Sequence, residues 1–433
     1  MLFYTHTFTP RLQYICKFIA TELFGQPFVI TGSVDEFKSS PQPKLNYSDT
    51  GITNEEVWIK PHGLLFERKI SQQNISCYNY NGYKAFFKTE DDFGFDIFSA
   101  AFYLMSRYEE YLPHQKDEYG RYAHANSLAF RESFLHLPLV NIWIEQFKQK
   151  LKEKFPALQF QKRSFTFIPT YDIDEAFAYR HKGFVRTTGG LLKSIFTGNV
   201  QQAKRRLLTV TGKLQDEYDS FAEMDRIHEA YNLKPVYFFH VAQKNDRYDK
   251  NILPSKRAMQ DVIIRHAEKY ELGIHPSWQS GDEPGKLKTE ILHLGHIAGR
   301  QIKSSRQHYI RFNMPATFRQ LIDAGIEKDF SMGYGSINGF RASVASPFYW
   351  YDLEKEEKTN LLLFPFCFMD ANSFFEEKKS AAEALEELLS YYDAVKKVSG
   401  TLITIWHNIF LGTAKRFEGW KEVYEQFLQK LST

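Results

Sequence analysis

The chain has 433 residues, which exceeds what one compact core of ordinary size holds, so two domains are expected. Its composition is typical of a globular protein, with 43% apolar and 25% charged residues. A formal net charge of only +3 argues against a dedicated nucleic-acid binder. Three widely spaced cysteines, none in a CxxC pair, argue against a disulfide framework or a thiolate metal site and suit a reducing compartment.

The N-terminal sequence lacks the pattern of a signal peptide, because Arg11, Lys17 and Glu22 interrupt every apolar run. The most apolar stretch, residues 361–369 (LLLFPFCFM), is far shorter than the roughly 20 residues that a membrane-spanning helix needs. We expect it to be a buried strand. The sequence therefore predicts a cytoplasmic protein without a transmembrane segment, with a location at the inner face of the membrane as the alternative. It indicates no particular protein partner.

Residues 1–160 are predicted to form a smaller α/β domain of unknown function. Its opening segment has the apolar spacing of an amphipathic helix that ends at Gly25. Residues 27–37 and 43–48 are then expected to form strand and loop segments. These short elements predict a mixture of helix and sheet but carry no recognisable chemistry.

A second helix of this domain is expected after Asp96, whose carboxylate can cap it. Its apolar positions form one stripe: Ile97, Ala101, Leu104, Met105, Tyr108 and Leu112. Another helix is predicted over residues 137–155. Pro156 and the polar residues 161–164 then mark the expected domain boundary.

From residue 165 to 433, predicted strands alternate with predicted helices. The strands are expected over residues 164–172, 234–241, 272–278, 300–308, 360–369 and 401–408. The helices are expected over residues 220–233, 258–270, 285–299, 314–325, 380–400 and 419–432. Alternation of this kind predicts a parallel sheet, either open or closed into a barrel.

Reactive side chains lie at the carboxyl ends of five predicted strands, where α/β folds place their active sites. They are Asp172 with Asp174, His240, His275, Arg306 with His308, and His407. Asp172 and Asp174 face the same way in an extended chain and repel each other unless a cation lies between them. An aspartate with two neutral imidazoles suits a catalytic divalent metal, and a second carboxylate can take a proton from water. His240 is predicted to be structural.

Residues 165–433 resemble a divergent polysaccharide deacetylase of the NodB homology type, carbohydrate esterase family 4, of the bacterial kind with an extra N-terminal domain. The order and spacing of five motifs carry the resemblance: TYDID (170–174), IHPSWQS (274–280), SRQHYIRF (305–312), DFSMGY (329–334) and IWHN (405–408). It implies a distorted (β/α) barrel that hydrolyses acetyl groups from an acetylated sugar or a cell-envelope polysaccharide or its precursor. It also implies a divalent metal, with zinc expected and cobalt or nickel as the alternatives.

The resemblance transfers roles to the residues at matching positions. Asp172 is implied to be the base that takes a proton from water, and Arg306 is implied to hold it in place. Asp174 and His275 are implied to be metal ligands. His407 is implied to be the general acid that protonates the departing amine or alkoxide.

The sequence departs from the family pattern at Gln279, where the second histidine of the second motif is expected. Either His308 completes the metal site, or the site is impaired. Three functions therefore stay open. The chain is a metal-dependent deacetylase, a catalytically impaired carbohydrate-binding relative, or a hydrolase of a small non-peptide C–N bond on the same barrel.

Three further residues are candidates for binding an acetylated carbohydrate. Arg341, in GFRAS (339–343), could bind an acidic sugar or replace Arg306 beside the base. Trp278 and Trp406 could pack against sugar faces, with a place in the core as the alternative for each.

Overall fold

In the computed structural model, which describes residues 1–283 and 285–432, the chain is a mixed α/β protein built on two separate main sheets. Residues 1–160 are called the N-terminal region. Its elements are β1 (Leu2–Tyr4), α1 (Pro10–Phe24), β2 (Val29–Thr31), α2 (Val34–Ser39), β3 (Lys44–Tyr47), β4 (Glu56–Ile59), β5 (Tyr78–Tyr80), β6 (Tyr83–Ala85), α3 (Ile97–Met105), α4 (Leu128–Arg131) and α5 (Leu139–Lys154). Its parallel sheet has the order β2-β1-β3-β4, and β5 and β6 form a separate hairpin.

Two helix boundaries of the N-terminal region follow from single residues, as the sequence predicts. Helix α1 ends because Gly25 takes the left-handed conformation at φ 71°, which a glycine adopts without strain. Asp96 caps α3 through the Ser99 amide, which confirms that prediction. However, α3 ends at Met105 rather than near Leu112, because Arg107 takes a positive φ of 54° that breaks the helix.

Residues 165–432 are called the C-terminal region. Its elements are β7 (Thr166–Ile173), α6 (Phe184–Phe196), α7 (Val200–Val210), α8 (Phe221–Tyr231), β8 (Val236–His240), α9 (Arg257–Lys269), β9 (Glu271–His275), α10 (Lys286–Ala298), β10 (Ser304–Ser305), α11 (Ala316–Asp323), β11 (Lys328–Asp329), β12 (Phe348–Asp352), β13 (Glu357–Leu363), β14 (Phe368–Met369), α12 (Ala381–Lys397), β15 (Thr401–His407) and α13 (Trp420–Ser432). The predicted alternation of strand and helix is confirmed in part, because two unpredicted helices, α6 and α7, precede α8, and the strands β11 to β14 follow one another without a helix.

The strands of the C-terminal region form one nine-stranded sheet in the order β12-β13-β11-β10-β9-β8-β7-β15-β14. All pairs are parallel except β12 with β13. The two edge strands, β12 and β14, are not hydrogen-bonded to each other within the described residues, so the sheet is open. The distorted barrel expected for this region is therefore not closed by hydrogen bonds.

One predicted strand is divided in the structure. Residues 360–369 were expected to be continuous, but β13 ends at Leu363 and β14 begins at Phe368. Pro365 lies between them and has no amide hydrogen for a sheet ladder. The chain leaves the sheet after β13, which lies next to the edge strand β12, and rejoins it as β14 at the opposite edge.

The two regions share a continuous hydrophobic core and a buried ionic network. The Glu110 carboxylate accepts hydrogen bonds from Arg107 Nε at 2.7 Å and from Arg341 Nε at 2.8 Å and Nη2 at 2.6 Å. All three side chains are almost fully buried. Nearby, Tyr14 Oη donates to the Tyr349 carbonyl oxygen at 2.8 Å. The interface between the regions therefore combines apolar packing with buried, specifically paired charges.

Candidate metal centre and its surroundings

The register of the parallel sheet brings the predicted reactive residues together at the end of the sheet where the carboxyl ends of its strands lie. His407, the last residue of β15, is paired with Asp172 near the end of β7. His240 and His275, the last residues of β8 and β9, are paired with each other. The prediction that these side chains end their strands is confirmed for all three histidines.

Three side chains form a group that could hold a metal ion: Asp174, His275 and His308. Their ligand atoms all lie within 4.8 Å of one another. His275 Nε2 lies 3.1 Å from Asp174 Oδ1, and His308 Nε2 lies 3.7 Å from Asp174 Oδ2. One carboxylate and two imidazoles, with room for further ligands, suit a catalytic divalent cation.

The hydrogen bonds of the two histidines prepare them for such a cation. His275 Nδ1 donates to the Arg306 carbonyl oxygen at 2.6 Å, and His308 Nδ1 donates to Asp249 Oδ1 at 3.1 Å. A carbonyl or a carboxylate only accepts, so the proton of each neutral ring lies on Nδ1. Both Nε2 lone pairs are thus directed toward Asp174, as metal-binding imidazoles require.

The electrostatics of the group favour positive charge beside Asp174. Burial alone would lower the pKa of His308, but Asp174 and Asp249 outweigh it and raise that pKa to about 9. Burial would likewise raise the pKa of Asp174, but His308 and His275 outweigh it and hold that pKa well below its usual range. A bound cation would take the place of the proton on His308.

Asp172 stands beside this group as a separate, fixed carboxylate. Arg306 Nη1 donates to Asp172 Oδ1 at 2.8 Å, and Arg306 Nε donates to the Phe330 carbonyl oxygen at 3.1 Å. The guanidinium carbon also lies 4.4 Å from the ring centroid of Phe238. Asp172 Oδ2 lies 3.8 Å from His275 Nε2, so its free oxygen faces the three-residue group.

His407 lies on the same group and is paired with a carboxylate that the sequence interpretation missed. Its Nδ1 donates to Asp370 Oδ1 at 2.6 Å, and its Nε2 lies 3.5 Å from Asp174 Oδ2. Burial would lower the pKa of His407, but Asp370, Asp174 and Asp172 outweigh it and raise the pKa to about 10. Asp370 directly follows strand β14, so the strand-end rule could have found it.

Asp249 is the second residue that was missed, and no local pattern points to it. It lies in the segment after β8, is fully buried, and accepts the backbone N–H of Trp278 at 3.0 Å as well as His308. His240 Nε2 lies 3.3 Å from the same carboxylate. Burial, chiefly, lowers the pKa of His240 to about 3. His240 also forms a second group with Asp249 and His308 that could hold a cation, so its structural role stays a prediction.

Gln279 points away from the candidate metal centre. Its Nε2 donates to Asp246 Oδ2 at 2.6 Å, and its Oε1 accepts from Lys286 Nζ at 2.6 Å. Both ends of the amide are therefore engaged by surface charges. Of the two residues that the sequence left as alternatives, only His308 belongs to the group around Asp174.

We expect His308→Ala to weaken zinc binding at least about 100-fold. Removing a residue that only hydrogen-bonds to a metal ligand typically lowers the metal affinity by about 10–100-fold, and removing a ligand itself should lower it further. Gln279→Ala is the matched control and should change the zinc affinity by less than about threefold. Competition against a chromophoric chelator measures both. Equal losses in the two variants, or wild-type affinity in His308→Ala, would contradict this ligand set.

Two candidate substrate-binding residues are core residues instead. The Arg341 guanidinium is occupied by Glu110 and by the Gly333 carbonyl oxygen, so it neither touches Asp172 nor reaches solvent. Trp406 is fully buried, with its ring 4.8 Å from that of Tyr424. The expectation for Arg341 is therefore wrong, and for Trp406 the alternative of a place in the core is confirmed.

Trp278 lies near the candidate centre but its ring is already covered by protein. Tyr248 stacks on it at a centroid distance of 3.9 Å, and the Arg311 guanidinium carbon lies 4.3 Å from the ring centroid. The residue is half-buried, and both contacts lie against its ring. A role in stacking broadly on a sugar face does not fit this packing.

The N-terminal region reaches this edge of the sheet through residues 119 and 121. Arg121 Nη1 donates to the Tyr309 carbonyl oxygen at 2.7 Å, and the Tyr119 ring stacks on the Tyr309 ring at 5.4 Å. Tyr309 has a positive φ of 56°, which costs free energy for a non-glycine residue unless its surroundings hold it. The residue beside His308 is therefore held partly by the other region.

Comparison with known proteins gives a family match for the N-terminal region only. Residues 1–156 match a family of unknown function, DUF7033. No curated protein matches the chain.

Three solved structures are similar to somewhat more than half of the chain. One, described as a polysaccharide deacetylase from Mycobacterium smegmatis, is 14% identical with a TM-score of 0.39 and covers 62% of this chain and 85% of its own. The polysaccharide deacetylase Bc1974 from Bacillus cereus is 10% identical with a TM-score of 0.29, covering 63% and 89%. A mutant of a CE4 family pseudoenzyme with restored enzymatic activity is 8% identical with a TM-score of 0.29, covering 63% and 65%.

Proposed function

We propose that this chain is a metal-dependent hydrolase that removes acetyl groups from an acetylated sugar or a cell-envelope polysaccharide or its precursor. One observation carries the proposal: a group that could hold a cation, Asp174 with His275 and His308, is flanked by the carboxylate of Asp172 and the imidazole of His407. The motif resemblance in the sequence supports the same chemistry. A divalent cation there would polarise a carbonyl group and make a nearby water more acidic.

In this proposal Asp172 is the general base. Arg306 occupies its Oδ1 and fixes the plane of the carboxylate, which leaves Oδ2 free to accept a proton from water. Both side chains are almost fully buried, so the carboxylate does not have to be reoriented during the reaction.

His407 is the general acid. Asp370 holds its Nδ1–H, so the ring presents Nε2 toward the group around Asp174. A pKa raised to about 10 keeps the ring protonated at neutral pH, and its Nε2–H can be donated to a departing amine or alkoxide. The two partners thus favour opposite protonation states: Arg306 favours the ionised carboxylate of Asp172, and Asp370 favours the protonated ring of His407.

The test is acetate release by the full chain loaded with zinc or cobalt. We expect acetate from N-acetylated or O-acetylated sugars and none after chelation by EDTA. Absence of bound metal under every loading condition would overturn the proposal. Ring opening of small cyclic amides without acetate release would assign the C–N hydrolase, and sugar binding without hydrolysis would assign an impaired relative.

A further inference from the structure

The two consecutive helices α6 and α7 form a helical hairpin, residues 184–210, with an unusually apolar surface. Eight of the seventeen large hydrophobic side chains that are exposed among the described residues lie in it. The most exposed are Phe184 at 83%, Val185 at 82% and Phe196 at 86%. A folded protein seldom leaves phenylalanine side chains this open unless they meet a partner or a membrane.

The exposed apolar residues lie on one face of each helix. On α6, Val185, Leu192 and Phe196 follow the spacing i, i+7, i+11, and on α7, Val200 and Leu207 follow i, i+7. The hairpin is held together on its other side, where Ser194 Oγ donates to Gln202 Oε1 at 3.1 Å and the side chain of Thr209 is buried.

The same segment is the most basic part of the chain. Residues 176–215 contain no aspartate or glutamate and eight basic residues: Arg180, Lys182, Arg186, Lys193, Lys204, Arg205, Arg206 and Lys213. The segment thus carries a charge of +8 in a chain of net +3, which leaves −5 for all other residues. The positive charge is concentrated where the apolar side chains are exposed.

An open cleft of about 750 Å³ continues this basic surface. It lies between the hairpin and the segment around residue 415, and its lining includes Lys204, Arg206, Lys415 and Arg416. The Arg206 guanidinium carbon lies 4.7 Å from the ring centroid of Tyr179, which holds it at the base of the hairpin. Phosphate groups near the hairpin would therefore meet cations on two sides.

We propose that the hairpin 184–210 docks the protein on an anionic lipid bilayer, with its apolar face in the interfacial layer and its lysines and arginines at the phosphates. Amphipathic helices that combine basic residues with exposed phenylalanine and leucine bind in this way. Among residues 1–283 and 285–432 no helix has the length and apolarity to cross a bilayer, so the hairpin lies on the membrane surface.

Charge and side-chain type argue against two other occupants of this surface. Two copies of the chain meeting through the hairpin would place the +5 charge of residues 184–210 against another +5, which opposes a symmetric dimer. A nucleic acid would use the cations and could stack bases on Phe184 and Phe196, but it would leave the exposed valine, leucine and isoleucine side chains of the hairpin in water.

The hairpin is fixed to the same sheet edge as the candidate metal centre. The Asp216 carboxylate accepts the backbone N–H groups of Ala178, Tyr179 and Arg180 at 2.7–2.9 Å, which closes the base of the segment. Asp174 lies only ten residues before the hairpin begins. Membrane docking would therefore bring that edge close to the bilayer, although the inference itself does not depend on the hydrolase proposal.

Vesicle flotation with the full chain tests the inference. We expect the wild type to float with vesicles of phosphatidylcholine containing about 30% phosphatidylglycerol, not with phosphatidylcholine alone, and to be released by about 0.5 M NaCl. The double variant Phe184→Ser/Phe196→Ser should lower the partition coefficient at least about tenfold. The double variant Lys193→Glu/Lys204→Glu should lower it at least about twentyfold.

Matched controls make the same changes elsewhere on the surface. Phe8→Ser/Leu292→Ser removes two exposed apolar side chains and Lys38→Glu/Lys234→Glu reverses two exposed charges, and both should bind like the wild type. No wild-type binding to anionic vesicles, or equal losses in the controls, would overturn the inference. It would also be overturned if light scattering showed a dimer that only the hairpin variants dissociate, or if an oligonucleotide bound more tightly than vesicles.

Discussion

Asp172→Asn is expected to lower the rate of acetate release by about 10²–10⁴-fold while the chain still binds its metal. The asparagine oxygen can still accept from Arg306, so the geometry of Oδ1 is retained. What the amide cannot do is take a proton from water. Because Asp172 is outside the group Asp174, His275 and His308, the metal content should stay near one equivalent per chain.

The comparison variant for this result is Asp174→Asn, which replaces the carboxylate that contacts both histidines. It should lose both activity and metal, so the two variants separate proton transfer from ligation. Measurement requires initial rates and elemental analysis on the same preparations. If Asp172→Asn kept more than about a tenth of the activity, Asp172 would not be the base.

Glu110→Ala is expected to reduce the free energy of unfolding by about 3–5 kcal/mol at pH 7, because it leaves the buried Arg341 guanidinium without its carboxylate, whereas Arg107 keeps Glu109. Glu110 accepts from both Arg107 and Arg341 and is almost fully buried. Urea titration followed by tryptophan fluorescence measures the change. Glu145→Ala, which removes a partly exposed pair with Lys148, is the control and should cost no more than about 1 kcal/mol.

The effect of Glu110 also has a definite pH dependence. Burial would raise its pKa, but Arg341 and Arg107 outweigh it and lower the pKa from 4.5 to about 2. Because the folded-state pKa is the lower one, this stabilisation is full above about pH 4.5 and is lost as the pH falls toward 2. The difference between wild type and Glu110→Ala should therefore shrink below pH 4.5, and a difference independent of pH would contradict the assignment.

The sequence was most informative where local pattern and position at a strand end coincide. His240, His275 and His407 end their strands as predicted, and the sheet register alone then brings the last two near Asp172 and Asp174. Parallel strands require their carboxyl ends to share an edge, so such residues can be found without knowing any contact. The roles given to these residues stay proposals.

The sequence was least informative where a residue's role depends on a distant partner. Arg341 is separated from Glu110 by 231 positions, and no local feature shows that the pair is buried. Asp249 lies in an irregular segment 59 positions before His308. The assignment of Trp406 to sugar binding could have been rejected from the sequence. Neighbouring residues of a strand face opposite ways, and His407 was already predicted to face the site.

The hydrogen bond from Arg121 to the Tyr309 carbonyl oxygen bears on whether the two regions of this protein can be produced as separate fragments. It joins the N-terminal region to the residue next to His308, and the ionic network around Glu110 and the common hydrophobic core join the same two regions again. The chain is therefore poorly modular, and the smallest fragment with an intact candidate centre includes residues on both sides of position 160. We expect neither half to be a faithful substitute for the whole.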